Sequence, residues 1–181
     1  MTPHPTTPRS SDRSAAFDAA EVGRFDALSR QWWDEAGPMK PLHKINAIRV
    51  GYLRDALCAH FGRDERAFQP LAGLAILDIG CGGGILSEPM ARMGATVTGL
   101  DPARGNVDVA RTHAVEMGLS IDYREATIEE LVAEGARFDI VLAMEVIEHV
   151  ADVDGFVQAC AAALKPGGLI VMATLNRTMK A

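Results

Sequence analysis

The sequence predicts a doubly wound α/β sheet preceded by a helical segment, and three observations carry that prediction. Beyond Pro70, short apolar runs alternate with amphipathic stretches, the texture of a parallel sheet covered by helices on both faces. The first apolar run, LAILDIG, passes directly into Gly80-Cys81-Gly82-Gly83-Gly84 and then into a helical pattern. The second, ATVTGLD, ends on an acid, Asp101. Unusual residues thus gather at the carboxyl ends of strands, where open α/β sheets bind ligands.

Each element follows from local pattern. Residues 1–16 are rich in proline and hydroxyl side chains without apolar periodicity, so a disordered tail is expected, with an Arg-bearing transit peptide as the alternative. Residues 17–66 read as a helical preface. Val22, Phe25, Leu28, Trp32 and Trp33 recur at three- and four-residue steps in a first helix over about 18–37 that ends at Gly37-Pro38. Ile45, Ile48, Tyr52, Leu53 and Leu57 share a face in a second over about 42–61. Residues 67–181 form the sheet domain. Strands are expected at about 74–79, 96–100, 120–124, 138–143 and 168–174, and helices near 84–93, 103–117, 127–134 and 153–164. Right-handed crossovers with one reversal give the strand order 3-2-1-4-5.

Composition narrows the function classes. A chain of 181 residues, 48% apolar and 23% charged, matches one globular domain. Its formal charge of -6, with no basic stripe, argues against nucleic acid as a partner. Cys58, Cys81 and Cys160 are odd in number and form no C-x-x-C pair, which fits a reducing compartment and implies neither a disulfide framework nor a thiolate zinc site. No apolar run approaches the roughly 20 residues that span a bilayer, and no secretory leader opens the chain. A protein neither exported nor integral to the membrane is expected.

The glycine loop admits two cofactor classes. A strand, glycine loop and helix can cradle a dinucleotide pyrophosphate, but that fingerprint needs Gly or Ala where this chain has Ile85. Asp78, inside the strand, would repel a pyrophosphate and accept from a ligand ammonium, which suits the amino acid end of S-adenosylmethionine. Asp101 can take two hydrogen bonds from vicinal ribose hydroxyls, a role NAD would use equally. Gly80 and Gly82 let the ligand approach the backbone. The structural alternative is a plain tight turn, with Asp101 merely capping a helix before Pro102.

The fourth strand, FDIVLAM, runs into Glu145-Val146-Ile147-Glu148-His149. A helical turn there would set Glu145, Glu148 and His149 at i, i+3 and i+4 on one face, able to share a divalent cation such as Mg²⁺, Mn²⁺ or Zn²⁺. Such a cluster suits removal of an acceptor proton, that of a phenol having a pKa of about 10, by a metal or by a general base such as Glu145 or His149. Solvated loop acids beside a satisfied histidine are the alternative.

D-I-G-C-G-G-G followed by V-T-G-L-D resembles the first two motifs of class I methyltransferases. W-W-D, L-H-x-I-N-x-x-R, L-D-I-G-C-G-G-G-I-L-S, E-V-I-E-H-V and T-L-N-R together resemble the O-methyltransferases of ubiquinone biosynthesis. The resemblance implies S-adenosylmethionine at Arg49, Gly80, Asp101 and Met144, with magnesium at Glu145, Glu148 and His149. Arg49 would fork onto the methionine carboxylate and Met144 would pack on the adenosine, while the tryptophans read as packing.

The resemblance further implies a polyprenylated phenol or catechol substrate, peripheral contact with lipid on the cytoplasmic side of a bacterial inner membrane, or on the mitochondrial matrix side, and association with other quinone-biosynthesis proteins. The resembling enzymes continue past the fifth strand, so a chain lacking the C-terminal part of the sheet is expected. A methyltransferase for another phenol or amine remains open beside this reading, as does a non-catalytic scaffold. A nicotinamide-dependent reductase is disfavoured by Ile85, Asp78 and the lack of a Tyr-x-x-x-Lys pair.

Overall fold

Five parallel strands and the helices between them make up most of a computed structural model that describes residues 31–174. The order is helix α1 (Lys40–Phe61), β1 (Ala75–Ile79), α2 (Ser87–Arg92), β2 (Thr96–Asp101), α3 (Arg104–Glu116), β3 (Asp122–Glu125), α4 (Ile128–Ala133), β4 (Phe138–Met144), a 3₁₀ turn (Ile147–His149), α5 (Val153–Ala162) and β5 (Leu164–Ala173). The sheet runs β3-β2-β1-β4-β5, the expected order, so the reversal lies between β1 and β4.

Period-two alternation divides the sheet between two helical layers. Leu77 and Ile79 of β1, with Val141 and Ala143 of β4, pack against Ile128 and Leu131 of α4 and Phe156 and Cys160 of α5. Ile76, Ile140 and Leu142 face the other way, onto Leu53 and Leu57 of α1 and Met90 of α2. Asp78 falls on this second face, which sets its partners. Local chemistry starts the helices where the chain needs them. Thr127 and Glu130 form a reciprocal capping box at α4, and Asp152 accepts from the Gly155 amide at α5. Pro41 opens α1, and Gly62 closes it in the left-handed region at φ 62°.

Three boundaries differ from expectation. The described part of the first preface helix, residues 31–37, is a series of turns, and the rest lies outside the described residues. The helix after the glycine loop begins only at Ser87, because residues 80–86 are taken up by turns. Strand β5 begins at Leu164, not 168: Leu164 pairs with Phe138, the chain then bulges through Pro166 and Gly167, and regular pairing resumes at Leu169 opposite Ile140. Residues 1–16, expected as a disordered tail, and Leu175-Asn176-Arg177 also lie outside the described residues.

Candidate active site

The strand ends open onto a cavity of about 260 Å³ lined by the glycine loop, the ends of β1, β2 and β4, and one side of α1. Arg49, Asp78, Gly80, Gly82, Asp101, Met144, Glu145, Glu148 and His149 all line it, so the structure gathers every expected site residue around one space.

The loop is held by its neighbours. Gly80 sits at φ 68° and a Cβ there would come within 2.6 Å of Val146 Cγ2, so this position excludes a side chain on both backbone and packing grounds. The Cys81 amide donates to the Leu100 carbonyl at 2.9 Å, and the Gly82 amide to Asp101 Oδ2 at 2.9 Å. Asp101 Oδ1 accepts from the Ala103 amide and from Asn106 Nδ2. The carboxylate is thereby fixed at the cavity edge. Burial raises its pKa, and the donors from Ala103, Asn106 and Gly82 pull it back.

Asp78 is 2% exposed and accepts from Ser87 Oγ at 2.5 Å. Burial pushes its pKa up to about 6, against the lowering effects of Ser87 and the Arg49 charge. A buried carboxylate beside a cavity is suited to receive a cationic group, because the ligand's charge returns what desolvation removed.

Arg49 reaches from α1 to Glu145, donating from Nη2 to Oε1 at 2.7 Å across 96 positions of sequence. Glu145 lies just past β4 at φ 58°, in the left-handed region that non-glycine residues seldom occupy. Its Oε2 is buried without a hydrogen-bond partner among the described residues, as is Asn46 Oδ1, whose Nδ2 donates to the Ile85 carbonyl. Two unpaired acceptors flank Arg49 in the cavity wall, an arrangement complementary to a zwitterion.

The expected one-face arrangement of Glu145, Glu148 and His149 is not realised. Glu145 precedes the 3₁₀ turn and its left-handed backbone takes it off that turn's face; Glu148 Oε2 accepts from Thr174 Oγ1 at 2.7 Å, and Glu145 is engaged by Arg49. Among the described residues no group of three His, Cys, Asp or Glu side chains converges on one point. The three line the cavity without forming a cation cage, so an ion such as Mg²⁺ does not fit this arrangement unless Arg49 releases Glu145.

Sequence reasoning missed Ser87, Asn46 and Asn106. Ser87 stood in G-G-G-I-L-S but has meaning only once the turn folds it back onto Asp78. Asn106, 1% exposed in the first turns of α3, would have been signalled by a polar residue on that helix's buried face.

Parallel order 3-2-1-4-5, a glycine loop at the reversal and an acid closing β2 define a class I methyltransferase domain, and the family model described as a methyltransferase domain matches residues 77–172. The fold is shared with the magnesium protoporphyrin IX methyltransferase of Synechocystis PCC 6803, crystallised with bound S-adenosylhomocysteine, at TM-score 0.61 and 23% identity over 79% of this chain and 64% of that one. More narrowly, the chain belongs to the family of ubiquinone biosynthesis O-methyltransferases. It is 59% identical over 165 residues to the ubiquinone biosynthesis O-methyltransferase of Methylobacterium sp. (strain 4-46), covering 91% of this chain and 66% of the relative. With that of Chelativorans sp. (strain BNC1) the identity is 58% over 169 residues, covering 93% and 67%. The chain therefore spans about two thirds of the length of these relatives.

Proposed function

We propose that the protein of which this chain is part transfers a methyl group from S-adenosylmethionine to a ring hydroxyl of a polyprenylated phenol or catechol in ubiquinone biosynthesis. The observation that supports it best is the cavity itself, where Asp101 at the ribose end and Asp78, Arg49 and two unpaired acceptors at the other match a nucleoside joined to a zwitterion. The identity to enzymes of that name supports the acceptor class.

In this reading Asp101 receives the ribose hydroxyls, Gly80 and Gly82 let the ligand lie against the backbone, and Met144 packs on the adenosine. Asp78, Asn46 and Glu145 Oε2 surround the ammonium, and Arg49 turns from Glu145 toward the carboxylate. The sulfonium carries its own leaving group, so the reaction is an in-line displacement needing no covalent enzyme intermediate. The protein's contribution is alignment of donor and acceptor, together with removal of the phenolic proton. His149, which lines the cavity after β4, is the group we assign to that proton, since Glu145 is engaged at the ammonium, and Glu148 is held by Thr174.

Among the described residues no helix is long and apolar enough to cross a membrane. A polyprenyl acceptor resides in the bilayer, so we place the protein at the cytoplasmic face of a bacterial inner membrane, in peripheral contact with lipid and with other proteins of quinone synthesis.

The test is a titration of S-adenosylhomocysteine into this chain and into the complete protein, followed by methyl transfer from labelled S-adenosylmethionine to a short-chain polyprenyl catechol. Binding by both, with label on the ring oxygen for the complete protein, is expected. Saturable binding of NAD in place of S-adenosylhomocysteine, or transfer only to amines, would overturn the reading.

A further inference from the structure

Two tryptophans stand next to each other just before α1, and the fold uses them differently. Trp33 is half-buried on the outside: its Nε1 donates to the Gly83 carbonyl at 3.0 Å and its ring stacks on His113 with centroids 3.5 Å apart and planes 10° from parallel. His113 is in turn paired with the buried Glu88 at 2.5 Å. Trp33 is a fastening between the segment, the glycine loop and α3.

Trp32 points inward. It is 8% exposed, lines the cavity between Gly82 and Asn106, and rests so closely on the glycine loop that a Cβ at Gly82 would lie 3.0 Å from its Cζ3 and closer still to its Cζ2 and Cη2. Its Nε1 donates to Asn106 Oδ1 at 2.7 Å, and the Nδ2 of the same amide donates to Asp101 Oδ1 at 3.1 Å. Its backbone carbonyl is anchored by His43 Nε2 at 2.8 Å. A buried indole N–H takes a partner in any setting, so what sets Trp32 apart is which partner it takes, the amide that also holds Asp101, together with the ring's place on the cavity wall.

We infer that Trp32 belongs to the nucleoside-binding site. Its ring forms an apolar wall against the ribose and the adjoining nucleoside surface. Its N–H takes the Asn106 Oδ1 and leaves Nδ2 to meet Asp101, so that the carboxylate stays aimed at the ribose diol. Without Trp32 the Asn106 Oδ1 loses its donor, the side chain is no longer held at both ends, and the carboxylate it supports loses its alignment. Trp32 is thus a binding residue through its ring and a positioning residue through Asn106. This rests on the cofactor reading above.

The chain has only two tryptophans, so fluorescence separates them. In the full chain carrying Trp33→Phe, emission comes from Trp32 and is expected to change saturably on titration with S-adenosylhomocysteine and with adenosine alone. In the chain carrying Trp32→Phe, emission comes from Trp33 and is expected to stay within a few per cent. Calorimetry should show the S-adenosylhomocysteine dissociation constant rising at least tenfold in Trp32→Ala. Trp32→Phe, which keeps a ring and loses the N–H, should fall between it and the parent, and Asn106→Leu should weaken binding like Trp32→Phe while leaving Trp32 emission responsive. Failure of the parent chain to bind S-adenosylhomocysteine would overturn the cofactor reading. If the parent binds, a silent Trp32 together with Trp32→Phe affinity within twofold of the parent would overturn the inference, whether or not Trp32→Ala folds.

Discussion

Replacing Asp78 by Asn should stabilise the empty protein and weaken its hold on the cofactor, and the two effects should part along the pH axis. In the fold its pKa stands at about 6 against the ordinary 3.8, because burial penalises the charge more than Ser87 and Arg49 relieve it. A raised folded pKa means that the native state favours the protonated acid. Its contribution is therefore present in full below about pH 4 and is lost as pH rises through 6. A displacement of roughly two units corresponds to about 3 kcal/mol at neutral pH, or about 6–12 °C in Tm for a chain of this size. Asp78→Asn should recover much of that at pH 7.5 and nothing at pH 4, read by thermal melts at both.

Binding should move the other way. If only the carboxylate receives the ligand ammonium, which keeps its charge over this range, parent affinity for S-adenosylhomocysteine should rise about tenfold between pH 5 and pH 7. The Asn variant should be nearly flat. His149 also lines the cavity, and the difference between parent and variant isolates the Asp78 part from any of its own. A parent affinity independent of pH, or an Asn variant no more stable than the parent at pH 7.5, would refute the assignment of Asp78 as a strained carboxylate awaiting a cation.

Other outcomes follow from the same geometry. Gly80→Ala, facing both φ 68° and Val146, should reduce S-adenosylhomocysteine affinity by a hundredfold or more and cost about 1–3 kcal/mol in urea denaturation. Asp101→Ala should abolish measurable binding of adenosine by calorimetry, since it removes the carboxylate proposed to receive the ribose together with the anchor of the Gly82 amide. Glu148→Gln or His149→Ala in the complete protein should lower kcat at least tenfold with S-adenosylhomocysteine affinity within threefold; turnover unaltered by a chelator would leave proton removal to these side chains. Leu57→Ala, at a fully buried contact of α1 with the sheet, should cost about 2–5 kcal/mol in denaturant unfolding without changing the cavity.

The sequence by itself determined the order of the strands, the glycine loop, the acid at the end of β2 and the gathering of polar residues after β4. These are local facts: apolar period, glycine at a turn and the position of an acid at a strand end are all written within a few residues, and the handedness of crossovers converts them into a sheet. It could not set the start of β5, because Lys165-Pro166-Gly167-Gly168 reads as a break and only pairing of Leu164 with Phe138 draws it into the sheet. Nor could it foresee the backbone of Glu145: helical spacing put three donors on one face, whereas the sheet edge, through the Glu145 amide bonded to Ala173, holds that residue left-handed and delivers it to Arg49.

Only the tertiary structure decided where Trp32 and α1 come to rest. Trp32 meets Asn106 across 74 positions and Arg49 meets Glu145 across 96, distances over which no periodicity carries information. A tryptophan at a helical step is indistinguishable from core until the chain closes, and here closure places its indole on the glycine loop.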